Sequence, residues 1–251
     1  MAVRNSKPIP QIVPVFSCEH GGNSIPSEFR RLFASAREIL QSHRGWDPGA
    51  LELAKRFARH FDVPLTAEVR SRLLIEMNRS LHHPRLFSEY SRALPESIRQ
   101  KLIDDVYHPY RDDVTRRITA LSKKTPVVHL SVHSFTPVMN GTKRRTDIGL
   151  LFDPQRPLEA AFCRAWKRTL KQVLPGCAVH MNLPYRGTSD GFTAALRTEF
   201  PEDRYAGIEL EVNQKFPLGD APEWKRIQQI LVTTFDDSLR GFRLDTTDVH
   251  I

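Results

Sequence analysis

Cysteine is scarce in this sequence of 251 residues, and its three copies, Cys18, Cys163 and Cys177, form no CxxC pair. That excludes a disulfide framework and a four-cysteine zinc site, so any zinc must sit on histidine and carboxylate. Long apolar runs are missing too: none could span a bilayer, and Met1 to Pro10 is polar with no apolar signal core. We therefore expect residues 1–10 to be a flexible N-terminus, the chain to be cytoplasmic, and no membrane to be among its partners. No Gly/Ser-rich or repetitive stretch marks a linker, which argues for a single domain over residues 1–251. No GxSxG turn surrounds Ser131 or Ser134, and Cys18 beside Glu19-His20 lacks an orienting arrangement, so nothing points to a serine or cysteine nucleophile.

With 40% apolar and 26% charged residues, the chain can bury a full core. Basic residues outnumber acidic ones, 37 to 29, for a formal charge of +8. The excess is spread over short clusters (Arg30-Arg31, Lys123-Lys124, Lys143 to Arg145) separated by apolar segments, and there is no basic helix or repeated aromatic platform. This reads as a solvated surface with some attraction for anions, and no nucleic acid is expected.

Strand-like and helix-like segments alternate along the chain. Apolar, β-branched runs predict strands at Ile12 to Cys18, Leu73 to Met77, Pro126 to Val132, Asp147 to Phe152 and Ala206 to Val212, with a short one at Ala178 to Asn182. Helical spacing marks Glu28 to Gln41, Gly49 to Phe61, Pro95 to Ser122 with a break at His108-Pro109, Leu158 to Val173, and Trp224 to Leu239. Asp47-Pro48 stands where an N-cap and a first-turn proline would begin the second helix. This alternation predicts a three-layer α/β/α fold with a mixed, largely parallel central sheet. Ligands of such sheets collect at the carboxyl ends of the strands.

Polar residues gather at those predicted strand ends: Glu19, His20 and Asn23, then Asn78-Arg79, His133 and Glu211. Two histidines and a carboxylate on converging loops can hold zinc with a position open to water. A nearby unligated glutamate can deprotonate that water, and an adjacent arginine can grip a substrate carboxylate. Glu209 and Glu211 share a face of their strand by period two, so spacing does not choose between them. His82-His83 and His108 read as surface residues, and His129 as a satisfied core histidine.

The chain resembles the N-formylglutamate amidohydrolase family in SCEHGGNSIP (Ser17 to Pro26), RGWDPGA (Arg44 to Ala50), SRLLIEMNRS (Ser71 to Ser80), HSFTP (His133 to Pro137), RRTDIGLLF (Arg144 to Phe152), NLPYRG (Asn182 to Gly187) and IELEVNQ (Ile208 to Gln214). That family is distantly similar to zinc carboxypeptidases and aspartoacylase-type deacylases, which implies a phosphorylase/hydrolase-like fold, one zinc ion, and cleavage of the amide of a small anionic N-acyl amino acid such as N-formylglutamate. The resemblance implies His20 and His133 as metal ligands and leaves the third open: Asn23, at the relatives' Glu position, is a poor zinc ligand, so we take Asp47 of the WDPGA match, whose other reading is the helix cap, with Glu19 as the alternative. It further implies Glu211 as general base with Glu209 competing, Asn78 and Arg79 as the carboxylate grip, and Arg145 and Asn182 as additional substrate contacts. Arg72 reads as a buried salt-bridge residue, and Glu76 stands where an Asp is expected. Two other readings stay open: a zinc peptidase or deacylase on another N-acyl or peptide substrate, and a non-catalytic basic nucleic-acid-binding protein on the same fold.

Overall fold

The computed structural model describes residues 12–242, so the segment 1–10 lies outside the described residues. Strand β1 (Val13–Cys18) is followed by a short 3-10 helix (Ser27–Phe33), helix α1 (Arg37–Gln41), helix α2 (Ala50–Phe61) and strand β2 (Leu65–Ala67). Helix α3 (Glu96–Leu102) runs through a π-helical turn (Ile103–Tyr107) into α4 (His108–Ser122). Strand β3 (Val127–Phe135) leads to a small hairpin of β4 (Val138–Met139) and β5 (Thr142–Lys143). Then come β6 (Ile148–Leu151), α5 (Pro157–Val173), β7 (Val179–Met181), α6 (Phe192–Glu199), β8 (Tyr205–Asn213) and α7 (Ala221–Gly241).

Six strands form one sheet in the order β2-β1-β3-β8-β6-β7. Pairings are parallel except between β6 and β8, so β6 and β7 run against the other four. Both faces are covered. On one, Phe16, Phe57, Phe162, Trp166 and Phe235 join a core with α2, α5 and α7; on the other, Val15, Leu74, Val114, Ile118 and Phe192 pack with α4 and α6. Neighbours Val15 and Phe16 point to opposite cores because strand side chains alternate. This is the expected three-layer fold with a mixed, largely parallel sheet. No helix among the described residues is long and apolar enough to cross a membrane.

Several elements differ from the sequence expectation. Leu73 to Met77 is a turn rather than a strand, although Leu73, Leu74, Ile75 and Met77 are all buried. Its backbone groups are satisfied without a ladder: Leu73 O accepts from the Ser91 hydroxyl at 3.1 Å and from Ser88, and the Glu76 N–H donates to Leu86 O at 2.9 Å. The strand next to β1 is instead the half-buried Leu65–Ala67. Pro109 does not break the helix, because the wide turn just before it gives a residue with no N–H a place in a continuing helix. The Glu28 to Gln41 segment splits into the 3-10 helix and α1, and α6 and the β4–β5 hairpin are elements that periodicity did not mark.

Candidate metal centre and active-site cleft

Three parallel strands bring a polar row to the face under α4 and α6. Register pairs Ser17 with Ser131, Ser131 with Glu209, and His133 with Glu211, while Leu130, Val132, Ile208 and Leu210 face the opposite core. His20 enters from the turn after β1, and Asp47 from the loop before α2. The two loops are stitched by the Asp47 N–H, which donates to His20 O at 2.9 Å. Asp47 does not cap α2: the cap position is Gly49, in the left-handed region at φ 81°, and it receives no side-chain hydrogen bond. The carboxylate is thereby left to face His20 and His133.

One ligand atom from each of His20, Asp47 and His133 lies within 4.8 Å of the others, and all three residues are buried. Asp47 Oδ2 is 3.3 Å from His20 Nδ1 and 3.0 Å from His133 Nδ1, and the two Nδ1 atoms are 3.2 Å apart. The remaining ring nitrogens are held from behind. His20 Nε2 meets Glu76, and His133 Nε2 lies 3.0 Å from Glu19 Oε2. With those Nε2–H groups donating to carboxylates, both Nδ1 lone pairs point at the Asp47 oxygen, which is the ligand geometry of carboxylate-backed histidine metal sites. Three electron-rich atoms in so small a space, with no donor among them when both rings are neutral, fit a divalent cation. Burial pulls the His133 pKa down, but hydrogen bonds and charge from Asp47 and Glu19 more than reverse it, so the site attracts positive charge.

A fully buried chain of hydrogen bonds fixes these tautomers. Glu19 accepts from Ser17 Oγ at 2.7 Å, from Tyr110 Oη at 2.8 Å and from Ser131. Burial alone would raise its pKa, yet the hydrogen bonds from His133 and Ser131 hold it well below the usual carboxylate range. Because Ser17 spends its proton on Glu19, its oxygen accepts from His129 Nε2 at 2.8 Å, which leaves His129 Nδ1 to accept from Tyr205 Oη at 2.9 Å. Glu19 therefore lies outside the His20–Asp47–His133 triangle and orients His133 from behind. Asn23 is elsewhere, donating to Leu40 O at 3.0 Å.

The triangle opens into a cleft of about 460 Å³ that also exposes Arg72, Asn78, Arg79, Tyr185, Glu209 and Glu211. Arg72 binds Glu76 Oε2 through Nε at 2.7 Å and reaches Asp47 Oδ1 at 3.3 Å, so one guanidinium ties the Asp47 carboxylate to the one behind His20. Glu211 is buried, and its Oε2 has no hydrogen-bond partner among the described residues. Burial, with Asp47 and Glu209 adding to it, lifts its pKa to about 8 against the opposing pull of His133. Glu209, by contrast, accepts from Thr193 Oγ1 at 2.8 Å. Gly149 faces Glu211 across the sheet, where any side chain would collide with Leu183 O. Asn78 Oδ1 accepts the Phe192 N–H at 2.6 Å, and Arg79 donates to Asp190 O, so the Asn78 amide NH₂ and the rest of the Arg79 guanidinium remain for a ligand.

Two expected substrate contacts are placed differently. Arg145 is exposed and outside the cleft lining; its neighbour Arg144 instead donates to Tyr185 Oη at 2.9 Å and stacks over that ring, with its Cζ 4.8 Å from the centroid. Asn182 is also outside the lining: its Oδ1 accepts the N–H groups of Phe152 and Gly187 at 3.1 and 3.0 Å, pinning the turn that carries Tyr185. Asn182 stands just past β7, whose last residue Met181 pairs with Leu150, and its amide is spent on the turn that brings Tyr185 and Arg186 to the cleft. Glu76 and Tyr185 are among the site residues that sequence reasoning assigned no role, although both sat inside quoted motifs.

The three-layer α/β fold thus carries a buried His–Asp–His triangle beside a cleft at its strand ends, a group that could hold a divalent cation. Comparison supplies the family: the family model for N-formylglutamate amidohydrolase matches residues 13–217, and the chain belongs to that family of amide-bond hydrolases. Among solved structures, a gene product of Agrobacterium tumefaciens superposes with a TM-score of 0.78 at 26% identity over 92% of each chain. N-formylglutamate amidohydrolase from Ralstonia eutropha, at 17% identity over 95% of this chain and 97% of that one, shares the fold with a TM-score of 0.64. No curated protein matches.

Proposed function

We propose that the chain is a zinc-dependent amidohydrolase that removes the acyl group from a small anionic N-acyl amino acid such as N-formylglutamate. The observation that carries this reading is the meeting of His20 Nδ1, His133 Nδ1 and Asp47 Oδ2 beside the unpartnered carboxylate of Glu211. His20, Asp47 and His133 would hold the ion, which when bound supplies the Lewis acidity that makes water a nucleophile near neutral pH. Glu211 accepts the water proton and passes it to the departing nitrogen. Its raised pKa suits a group that must both take and give a proton near neutrality. Arg79 and the Asn78 amide grip the substrate carboxylate and so hold the amide over the triangle. Tyr185, whose oxygen accepts from Arg144, keeps its own proton to donate to the developing oxyanion.

The first experiment is elemental analysis of the purified protein together with hydrolysis of N-formylglutamate. One zinc per chain and release of formate are expected, whereas a metal-free, inactive protein that shifts nucleic acid in a salt-sensitive way would refute the reading.

A further inference from the structure

Arg72 and Arg79 line more than the cleft. A second cavity of about 350 Å³ lies on their far side and shares Arg44, Arg72, Arg79 and Arg85 with the cleft, adding Arg92 and an apolar floor of Leu73, Pro84 and Phe87. Its two carboxylates are already engaged: Glu76 binds His20 and Arg72, and Glu89 binds Arg44. The guanidinium groups of Arg85 and Arg92 have no ion-pair or hydrogen-bond partner among the described residues. A cleft of about 460 Å³ is already in the size range that encloses a whole small ligand. The adjoining space, with five arginines against two carboxylates over an apolar floor, therefore suits a further anionic piece of the same molecule.

We propose that this second cavity is an anion subsite and that the preferred substrate class is an N-acylated acidic dipeptide. The proposal rests on the amidohydrolase reading above. The acyl amide lies at the His20–Asp47–His133 triangle, the first residue's carboxylate meets Arg79, and the second residue places its methylenes on Phe87 and its carboxylates against Arg85 and Arg92. Guanidinium forks match carboxylates in pairs. Because four arginines line both cavities, we assign the occupant as an extension of the substrate and not as a separate effector. The bond cleaved is still the N-acyl amide: the water oxygen goes to the acyl carbon, one proton goes to the departing nitrogen, and an acid and a free dipeptide amine leave.

The test uses the zinc-loaded full chain with N-formylglutamate, N-formyl-glutamyl-glutamate and N-formyl-glutamyl-glutamine, in wild type and Arg92→Ala. Arg92 is exposed, so its removal leaves the core intact. The charged dipeptide should show the lowest KM, and Arg92→Ala should raise that KM by about fivefold while leaving N-formylglutamate kinetics unchanged, the size expected of an exposed charge pair. Equal KM for the two dipeptides, or no effect of Arg92→Ala, overturns the subsite while hydrolysis of N-formylglutamate keeps the enzymatic reading. If none of the three is hydrolysed, the enzymatic reading fails. Calorimetric binding of glutamyl-glutamate then decides the subsite alone: binding weakened in Arg92→Ala supports it, and equal or absent binding overturns it.

Discussion

The Asp47 N–H donates to the His20 carbonyl at 2.9 Å, so two residues far apart in sequence are joined through their backbones before their side chains meet. The His–Asp–His triangle is thus partly assembled by the fold. Asp47→Asn keeps that backbone link and the side-chain size while removing the anion. We expect a folded protein whose zinc affinity drops by more than the 10–100-fold typical of losing an outer partner. Competition with a chromophoric chelator measures it, and wild-type affinity would exclude Asp47 as a ligand.

Glu76 presents the matching case from behind His20. Glu76→Gln leaves a neutral partner for Nε2 and removes the carboxylate that Arg72 binds. Zinc affinity should fall by ~10–100-fold, less than for Asp47→Asn. An order of effects reversed between the two variants would place Glu76, not Asp47, in the coordination sphere.

Glu211→Gln separates chemistry from assembly. The variant should bind zinc as wild type does and lose about 10²–10⁴ in kcat, the usual contribution of a positioned general base. Glu209→Gln should lose far less, because Thr193 holds that side chain. Steady-state rates with metal content checked for each sample give the comparison; a fully active Glu211→Gln would move the role to Glu209.

His129 makes stability depend on pH. Burial brings its pKa down to about 4, while an unfolded imidazole titrates near about 6.5. Between those values the unfolded chain binds a proton that the native one does not. Native stability therefore falls as pH drops through that window, by at most about 1.4 kcal/mol per unit from this group. Urea titrations at several pH values should show a flatter dependence for His129→Gln, and an unchanged slope would mean that His129 is not the titrating group.

The aromatic core under α2, α5 and α7 has its own test. Phe235 is fully buried and lies within 5.4 Å of the ring centroids of Phe57 and Phe162. Phe235→Ala should cost about 3–5 kcal/mol in chemical denaturation.

The parts of the site that follow from strand alternation were legible in the sequence. His129, Ser131 and His133 share one face, as do Glu209 and Glu211, and parallel pairing sets the two rows side by side. The choice between Asp47 and Glu19 was not legible. Glu19 adjoins His20 in sequence, yet it turns toward Ser17, Tyr110 and Ser131, and only tertiary packing shows this. Leu73 to Met77 has the composition of a buried strand, but composition reports burial and says nothing about whether serine hydroxyls replace ladder partners. Where the Asn182 amide and the Arg145 side chain lie was not legible either, because turn hydrogen bonds and exposure are set by tertiary packing and not by alternation.

The direction of β6 has a consequence of its own. Because β6 runs against β8, the chain enters β6 at the same end of the sheet where β3 and β8 finish, so the hairpin and Arg144 arrive at the cleft mouth from upstream of a strand rather than downstream. The rim can then change length or charge through the hairpin residues 138–143 without touching the strand that carries Glu211 or the Arg144 that holds Tyr185. Relatives could diversify what they admit along this one border while the interior apparatus stays fixed.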